Sequence, residues 1–404
     1  MEANNIKLLV VNAGSSSIKI GLFDAANSKT ATLEGCLVGI GQPKAIFAVK
    51  GASESDNSTQ NLEATDYPTA INIMIDWLKQ KTSVDDLQGI GHRIVHGGPK
   101  YNQAVMLTDQ VIADLGELSA FDPEHLPAEL QLVGALQQAF PNIPQVACFD
   151  TAFHHDLPNV ARLLPIPRSY EAKGIRRYGF HGLSYAYLMS ELERVSGPET
   201  ANGRVILAHL GSGASLAAVQ NGQSIDTSMS LTPTGGIPMS TRSGDLDPSV
   251  AVYLTQHEGL NAEQLNQLIN YESGLLGLSE TSSDMEQLLQ SAGNDPRAAD
   301  AVNLFCYQVK KYIGSYAAAL GGLDTLIFSG GIGENAPKIR SQICQDLEFL
   351  GIKILEESNT GNLTTISSDD SKVKVMVFHT DEAQTIVSEM TRLLPVTTGN
   401  QRQL

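Results

Sequence analysis

The sequence predicts an α/β protein of two related halves with an active-site cleft between them, and three observations predict it. Short apolar runs such as Leu8–Val11, Val205–Ala208 and Thr325–Phe328, each leading into a stretch rich in glycine and serine, read as buried strands. Stretches of helical period lie between the later runs. One unit, strand–Gly/Ser turn–strand, occurs twice: sliding Val10–Phe23 onto Leu207–Gln220 puts Gly14 on Gly211 and Ser15 on Ser212. A chain of 404 residues is long enough for two or three domains with proper cores.

Taken in order, Leu8–Val11 is the first strand, and Ile18, Ile20 and Leu22 alternate along a second one paired to it by a hairpin. The turn between them carries Ser15, Ser16 and Ser17, with Lys19 just beyond, and suits an anion nest as well as a plain Gly-Ser turn. Lys19 aligns with Leu216, so only the first copy brings a positive charge. Residues 51–66 are polar and read as a loop, while Ile71, Ile75 and Leu78 share a helical face. Gly91–Gly98 places Arg93 at a strand end, open to an anion or to carbonyl capping. His92 and His96 lack the further ligand that a zinc site would need. Pro127 suits the first turn of a helix. Gln145–Phe149 is a strand ending at Asp150, the place where open α/β sheets put catalytic groups. Arg176–Gly182 is rich in phosphate-capable groups around His181, and Leu183–Arg194 reads as a helix. Val205–Ser215 forms the second glycine turn, and Asn221-Gly222 another turn. Ala298–Leu320 is a long helix; Asp324–Phe328 is a strand feeding Ser329–Pro337, with Asn335 expected as a helix N-cap. Val373–Phe378 is the last strand, ending at His379-Thr380-Asp381-Glu382 before a helix with Ile386 and Met390.

Composition narrows the class. A net charge of −17 excludes a general nucleic-acid or anionic-membrane binder but leaves room for a local arginine site. Cys36, Cys148, Cys306 and Cys344 are scattered and read as reduced thiols. Lys7–Val11 is too short for a signal core and no run is long enough to span a bilayer, so a cytoplasmic protein is expected.

The chemistry that uses all these turns is phosphoryl transfer. It needs in-line positioning, a divalent metal and positive charge at the moving group. Arg93, Arg242 and His181 offer the charge; Asp150 and Glu382, both after strands, offer oxygens for Mg²⁺ or its waters. There is no GxxxxGK[ST]. Gly331–Ala336 fits the loose dinucleotide pattern, so a nicotinamide-dependent oxidoreductase is a rival, as is a non-catalytic nucleotide switch.

NAGSSSIK, HRIVHGG, FDTAFH, RRYGFHG, HLGSG, TRSGDLDP, SGLLGLS, SGGIGENAP and the final TDE stand in this order from Asn12 to Glu382, and with them the chain resembles the acetate kinase family of the acetate and sugar kinase/Hsc70/actin superfamily. The resemblance implies duplicated ribonuclease H-like, actin-like ATPase domains: residues 1–150, completed by a helix at about 383–404, and residues 151–382, carrying nucleotide binding and dimerisation. It implies reversible, Mg²⁺-dependent transfer (Mn²⁺ as a substitute) of the ATP γ-phosphoryl group to acetate, giving acetyl phosphate and ADP, in a homodimer with no nucleic-acid or membrane partner. Arg93 and Arg242 would hold the carboxylate and phosphoryl groups, His181 would donate to the phosphoryl group, and Asp150 would position substrate or metal. Asn12 and Glu382 would organise the metal. Lys19, His209, Gly211, Ser212, Gly213, Asp284 and the turn Gly331, Ile332, Gly333, Glu334, Asn335 would bind nucleotide. Val95, Phe180 and Pro233 would line the acyl pocket, and valine at 95 favours acetate over propionate by about 1–3 kcal/mol per methylene. The chain departs from the family at Ser212, where asparagine is usual, at Gly235–Ser240, and at Glu124 and Leu126; these departures leave a propionate or other short-acyl substrate, and a pyrophosphate donor, as alternatives.

Overall fold

The apolar run Leu8–Val11 forms the buried middle of strand β1 (Lys7–Gly14), around which the first sheet is laid out. The computed structural model describes residues 6–14, 16–63 and 65–394, the side chains of residues 27–29 and 85 excepted. Ser15 of the first Gly/Ser turn and residues 395–404 of the expected C-terminal helix lie outside the described residues. The chain divides into two units, one running to Ala152 and resuming at Asp381, the other Phe153–Thr380.

In the first unit β1 pairs antiparallel with β2 (Ser17–Asp24), and β3 (Asn27–Val38), β4 (Lys44–Gly51) and β5 (Ser58–Glu63) continue the meander. On its other side β1 is parallel to β6 (Leu87–Ile94), which is parallel to β8 (Gln145–Phe149); the short β7 (Val105–Met106) closes that edge. β5 corrects the expectation of a loop over residues 51–66. All its side chains but Leu62 are exposed, so it shows no apolar alternation, and only backbone pairing to β4 makes it a strand.

Two helices cover one face of this sheet. Tyr67–Lys81, capped by Asp66 through Thr69 N–H (2.9 Å), buries Ile71, Ile75 and Leu78; Leu126–Ala139 buries Leu132 and Leu136 against the same cluster as Leu9 and Ile90. The helix Glu382–Leu393 takes the opposite face, over Gly89 and Gly91, which alternate with Ile90. Glycine is required there: a Cβ on Gly91 would stand 2.4 Å from Ile386 and 2.5 Å from the Met390 sulfur.

The second unit repeats the plan. β9 (Arg204–Leu210) pairs antiparallel with β10 (Ala214–Gln220), and β10 pairs with β11 (Gln223–Thr227) across a tight turn with Asn221 at φ 53° and Gly222 at φ 73°. On the other side of β9 come the parallel strands β12 (Thr325–Ser329) and β13 (Lys374–Val377). The order β11-β10-β9-β12-β13 matches β3-β2-β1-β6-β8 in sense and sequence, so the duplication read from two turns extends through both sheets. The helix Gly182–Ala201 packs Tyr185, Leu188, Met189 and Leu192 onto Val205, Leu207, Val219 and Ile327, an i, i+3, i+4, i+7 face. The long helix Pro296–Ala319 lies alongside β10 with Phe305, Val309 and Ile313 buried.

The units exchange their closing helices. The chain leaving β8 goes into Gly182–Ala201, which packs in the second unit; the chain leaving β13 goes into Glu382–Leu393, which packs on β1, β6 and β8 of the first.

Candidate active site

Parallel strands end together, so groups just past their carboxyl ends converge. In the first unit the register sets Asn12 of β1 beside Arg93 of β6 and Lys19 of β2, and Asp150 follows β8. Arg93 donates to one oxygen of Asp150 from Nε (3.1 Å) and from NH2 (2.6 Å), while NH1 lies 3.5 Å from Asn12 Oδ1. Asn12 Nδ2 in turn meets Glu382 Oε2 at 3.3 Å, from the first residue of its helix. Burial works against the Arg93 charge, but Asp150, Glu382 and Glu129 outweigh it and hold the guanidinium protonated above the ordinary arginine range. Arg93 keeps 17% of its side chain exposed whereas Asp150 keeps 1%, so the carboxylate is enclosed and the cation reaches solvent. Val95 is buried two residues further on, and the Lys19 side chain is exposed.

In the second unit the turn between β9 and β10 lies next to the turn after β12. Gly211 closes the first turn with an N–H to Gly213 O bond of 3.1 Å. A Cβ on Gly330, at φ 75°, would sit 2.7 Å from Leu210 O, and one on Gly211 would be 3.8 Å from Gly331 N. Glycine therefore lets two backbone turns approach each other side by side. The His181 and His209 rings stack at 4.3 Å, and each is fixed through Nδ1 to a hydroxyl: Ser215 at 2.9 Å, itself bonded to Tyr185, and Ser184 at 2.8 Å, itself bonded to Thr380. His181 is held at φ 59° at the start of Gly182–Ala201. Its Nε2 and the Arg242 guanidinium both border Gly213, where a Cβ would come within 3.2 Å and 3.8 Å of them.

The loop carrying Arg242 is anchored through its backbone. Ser240 N–H donates to Ser212 O (3.1 Å), Ser273 N–H to Thr241 O (3.0 Å), Leu275 N–H to Met239 O (2.8 Å) and Leu276 N–H to Ser240 O (3.0 Å). Gly274, at φ 61°, allows this: a Cβ there would lie 2.1 Å from Met239 O. Arg242 NH1 reaches Pro233 O at 3.3 Å. The divergent Gly235–Ser240 segment is clasped by Asp245, which accepts from Gly236 N–H (2.8 Å) and donates its own N–H to Gly236 O (2.8 Å).

Thus Arg93, Asp150, Asn12 and Glu382 come together in the first unit, and His181, His209, Gly211, Gly213, Arg242 and Gly331 in the second. Ser212 is exposed at the turn, and Phe180 is buried beside His181. Ile332 and Gly333 lie within the short helix Gly330–Asn335. Glu334 braces that turn from within: it accepts from Gly330 N–H (2.9 Å) and Thr380 N–H (3.1 Å) and pairs with His379 (2.5 Å). Asp284 caps the helix Met285–Ser291 through Gln287 N–H (2.9 Å). Asn335 is not the expected N-cap. It ends the short helix, with Nδ2 on Gly331 O (3.0 Å), and Ala336 takes the cap position before Pro337.

Three further side chains support these groups, and two of them, Glu129 and Arg340, escaped the sequence reading. Glu129 lies buried beside Arg93. Arg340 is fully buried under the glycine turn and donates to Gly333 O (2.8 Å) and Glu334 O (2.9 Å). His154 is buried with Nε2–H on Phe180 O (3.1 Å) and Nδ1 accepting from Ser224 (2.7 Å). A buried charge has no local signature, so nothing in the sequence set Glu129 or Arg340 apart from a solvated helix residue.

The profile of the Acetokinase family matches residues 7–388. A propionate kinase of Citrobacter rodentium is 41% identical over 392 residues, covering 96% of this chain and 96% of that protein. An acetate kinase of Rhodopseudomonas palustris is 41% identical over 391 residues, covering 96% and 98%. Among solved structures, a propionate kinase from Francisella tularensis superposes with a TM-score of 0.90 at 35% identity, covering 96% of this chain and 100% of that one.

Proposed function

We propose that this chain, which belongs to the acetokinase family, transfers the γ-phosphoryl group of ATP reversibly to acetate, forming acetyl phosphate and ADP. The observation that carries the reading is the Arg93 cluster, an exposed-edge guanidinium fixed by an enclosed Asp150 at the carboxyl ends of parallel strands. With Nε and NH2 committed to Asp150, the remaining edge is preoriented for a small anion, so little ordering is left for binding to offset.

In this reading Arg93 draws the acetate carboxylate, and Val95, Phe180 and Pro233 contact its methyl group. Arg242 and His181, the pair bordering Gly213, stabilise charge on the phosphoryl group in flight. That demand is electrostatic and suits donors fixed beforehand. The hydroxyl chain Tyr185–Ser215–His181 orients the imidazole so that Nε2 faces the transferring group. The adjoining glycine turns at Gly211–Gly213 and Gly330–Gly333 accept the nucleotide, with Arg340 and Glu334 keeping the second turn in shape. Asn12 Nδ2 donates to Glu382 Oε2 at 3.3 Å, so the two side chains are neighbours, and the oxygens that they carry suit a hard divalent cation such as Mg²⁺ that keeps several waters. When bound with ATP, Mg²⁺ offsets the charge of the donor phosphates.

Two relatives equally identical to this chain carry different acyl names, so overall similarity does not select the acyl length and the pocket must. Valine at 95 favours acetate by about 1–3 kcal/mol over propionate. The second unit also presents an apolar groove lined by Leu246, Val250, Leu265 and Leu278, with exposed Tyr253 and Tyr271 on the same helices; we assign it to a homodimer contact, which light scattering tests.

The deciding experiment is an initial-rate panel of acetate, propionate and butyrate against ATP, GTP and pyrophosphate with Mg²⁺. The reading expects the highest kcat/KM for acetate with ATP. Absence of turnover with every carboxylate and donor rejects it.

A further inference from the structure

Three carboxylates act electrostatically on Arg93, and Glu129 is the one that the proposed chemistry leaves without a task. It stands in the first turn of Leu126–Ala139 with 1% of its side chain exposed. Oε2 accepts the Val95 N–H at 2.9 Å, and Oε1 lies 3.7 Å from Arg93 NH1. One carboxyl group thus touches both the backbone of an acyl-pocket residue and the edge of the guanidinium that Asp150 does not occupy.

We propose that Glu129 is a positioning residue for the acyl site: it fixes Val95 and the NH1 edge of Arg93 together, and its charge state sets how strongly Arg93 attracts a carboxylate substrate. The proposal rests on the assignment of Arg93 to that carboxylate.

The charge balance gives the reason. Asp150 already offsets Arg93, and the Glu382 charge adds to this electrostatically from its own helix. A further ionised carboxylate in this enclosed corner would repel an incoming acetate ion. Burial pushes the Glu129 carboxyl up to about 8; Arg93 and the Val95 N–H pull it down, and Asp122 and Asp150 add to the rise. The groups facing it are therefore Arg93 and Val95 from β6 and its end, Asp150 after β8, Asp122 ahead of its own helix and Tyr67 from the neighbouring helix. His96 acts at one remove, through Asp122. At neutral pH the protonated acid keeps the Val95 bond through an uncharged oxygen and leaves the Arg93 charge available. Above its pKa the same group becomes a competitor for Arg93.

The test is steady-state kinetics on the full chain with acetate varied, ATP and Mg²⁺ saturating, from pH 6.5 to 9. If the protonated form alone binds acetate, the wild-type acetate KM rises about tenfold between pH 7 and 9. Glu129→Gln keeps shape and hydrogen bond without a titrating proton. It is expected to show a flat acetate KM over that range, kcat within about threefold of wild type, and an unchanged ATP KM. Glu129→Asp, one methylene short of Val95 but still ionisable, is expected to keep the pH dependence at a higher acetate KM. A purely structural glutamate would change stability and kcat without removing the pH slope. The proposal is overturned if wild type and Glu129→Gln share the same slope, or if wild type shows none, while Arg93→Ala impairs acetate binding. If Arg93→Ala leaves the acetate KM unchanged, the acyl assignment of Arg93 falls and the proposal falls with it.

Discussion

Replacing Gly274 with alanine should inactivate the enzyme from a position that touches no substrate. Gly274 sits at φ 61°, and a Cβ there would stand 2.1 Å from Met239 O, 2.7 Å from Arg242 O and 3.1 Å from Arg242 N. The left-handed conformation alone costs an L-residue about 1–2 kcal/mol. The clash is with backbone, more than an ångström inside ordinary contact, so the Met239–Arg242 segment must move. That movement strains the bonds from Leu275 N–H to Met239 O and from Leu276 N–H to Ser240 O, each worth about 1 kcal/mol. The expected loss of stability is about 2–4 kcal/mol. A shift of about 1 Å in a catalytic arginine costs on the order of 100-fold in rate. Gly259→Ala isolates the strain, because Gly259 has φ 72° with nothing within 4 Å of the new Cβ. It should lower stability by about 1–2 kcal/mol and leave kcat unchanged. Coupled measurement of ADP release gives kcat, and thermal melts give stability. A Gly274→Ala enzyme with kcat within threefold of wild type and a melt like that of Gly259→Ala would refute the argument that this glycine seats Arg242.

Arg242→Ala, which removes the charge without a backbone clash, should lower kcat by about 10²–10³ with little change in melting temperature, measured by the same assay and melts. Gly91→Ala pushes a Cβ against Ile386 Cγ2 and the Met390 sulfur and should cost about 1–3 kcal/mol, read from the urea midpoint. His92 and His154 are each depressed by burial to about 4. The unfolded chain then binds more protons between about pH 6.5 and 4, so their contribution is present above 6.5 and is lost as pH falls toward 4. Unfolding at pH 7.5 and 5 should differ by roughly 2 kcal/mol for each histidine, and His154→Gln should remove its share of that difference.

The strands were legible because a buried strand is an apolar run and needs no partner to be recognised. Leu8–Val11, Val205–Ala208 and Thr325–Phe328 all lie in strands, and the alignment of Gly14 on Gly211 extends to two sheets of the same order. Arg93, Asp150 and His181 stood out because glycine or a strand end announced them. What escaped depends on contacts distant in sequence. Nothing near Glu129 distinguishes it from a solvated helix glutamate until Leu126–Ala139 brings it to the end of β6. The return of the helix Glu382–Leu393 to the first unit was expected only through the family resemblance, because it packs on β1, β6 and β8, far along the chain from where it begins. Glu334 was legible as part of the glycine turn after β12, and its side chain spans to Thr380 and His379 and braces that turn. β5 was missed because a polar edge strand carries no alternation.

The central claim is that the γ-phosphoryl group passes to the acyl carboxylate, and the product can be observed directly. The full chain incubated with ATP, Mg²⁺ and acetate should give, by ³¹P NMR, an acyl phosphate resonance equal in amount to the ADP formed, abolished by hydroxylamine and absent without acetate. ADP accompanied only by inorganic phosphate, at the same rate with and without acetate, would contradict it.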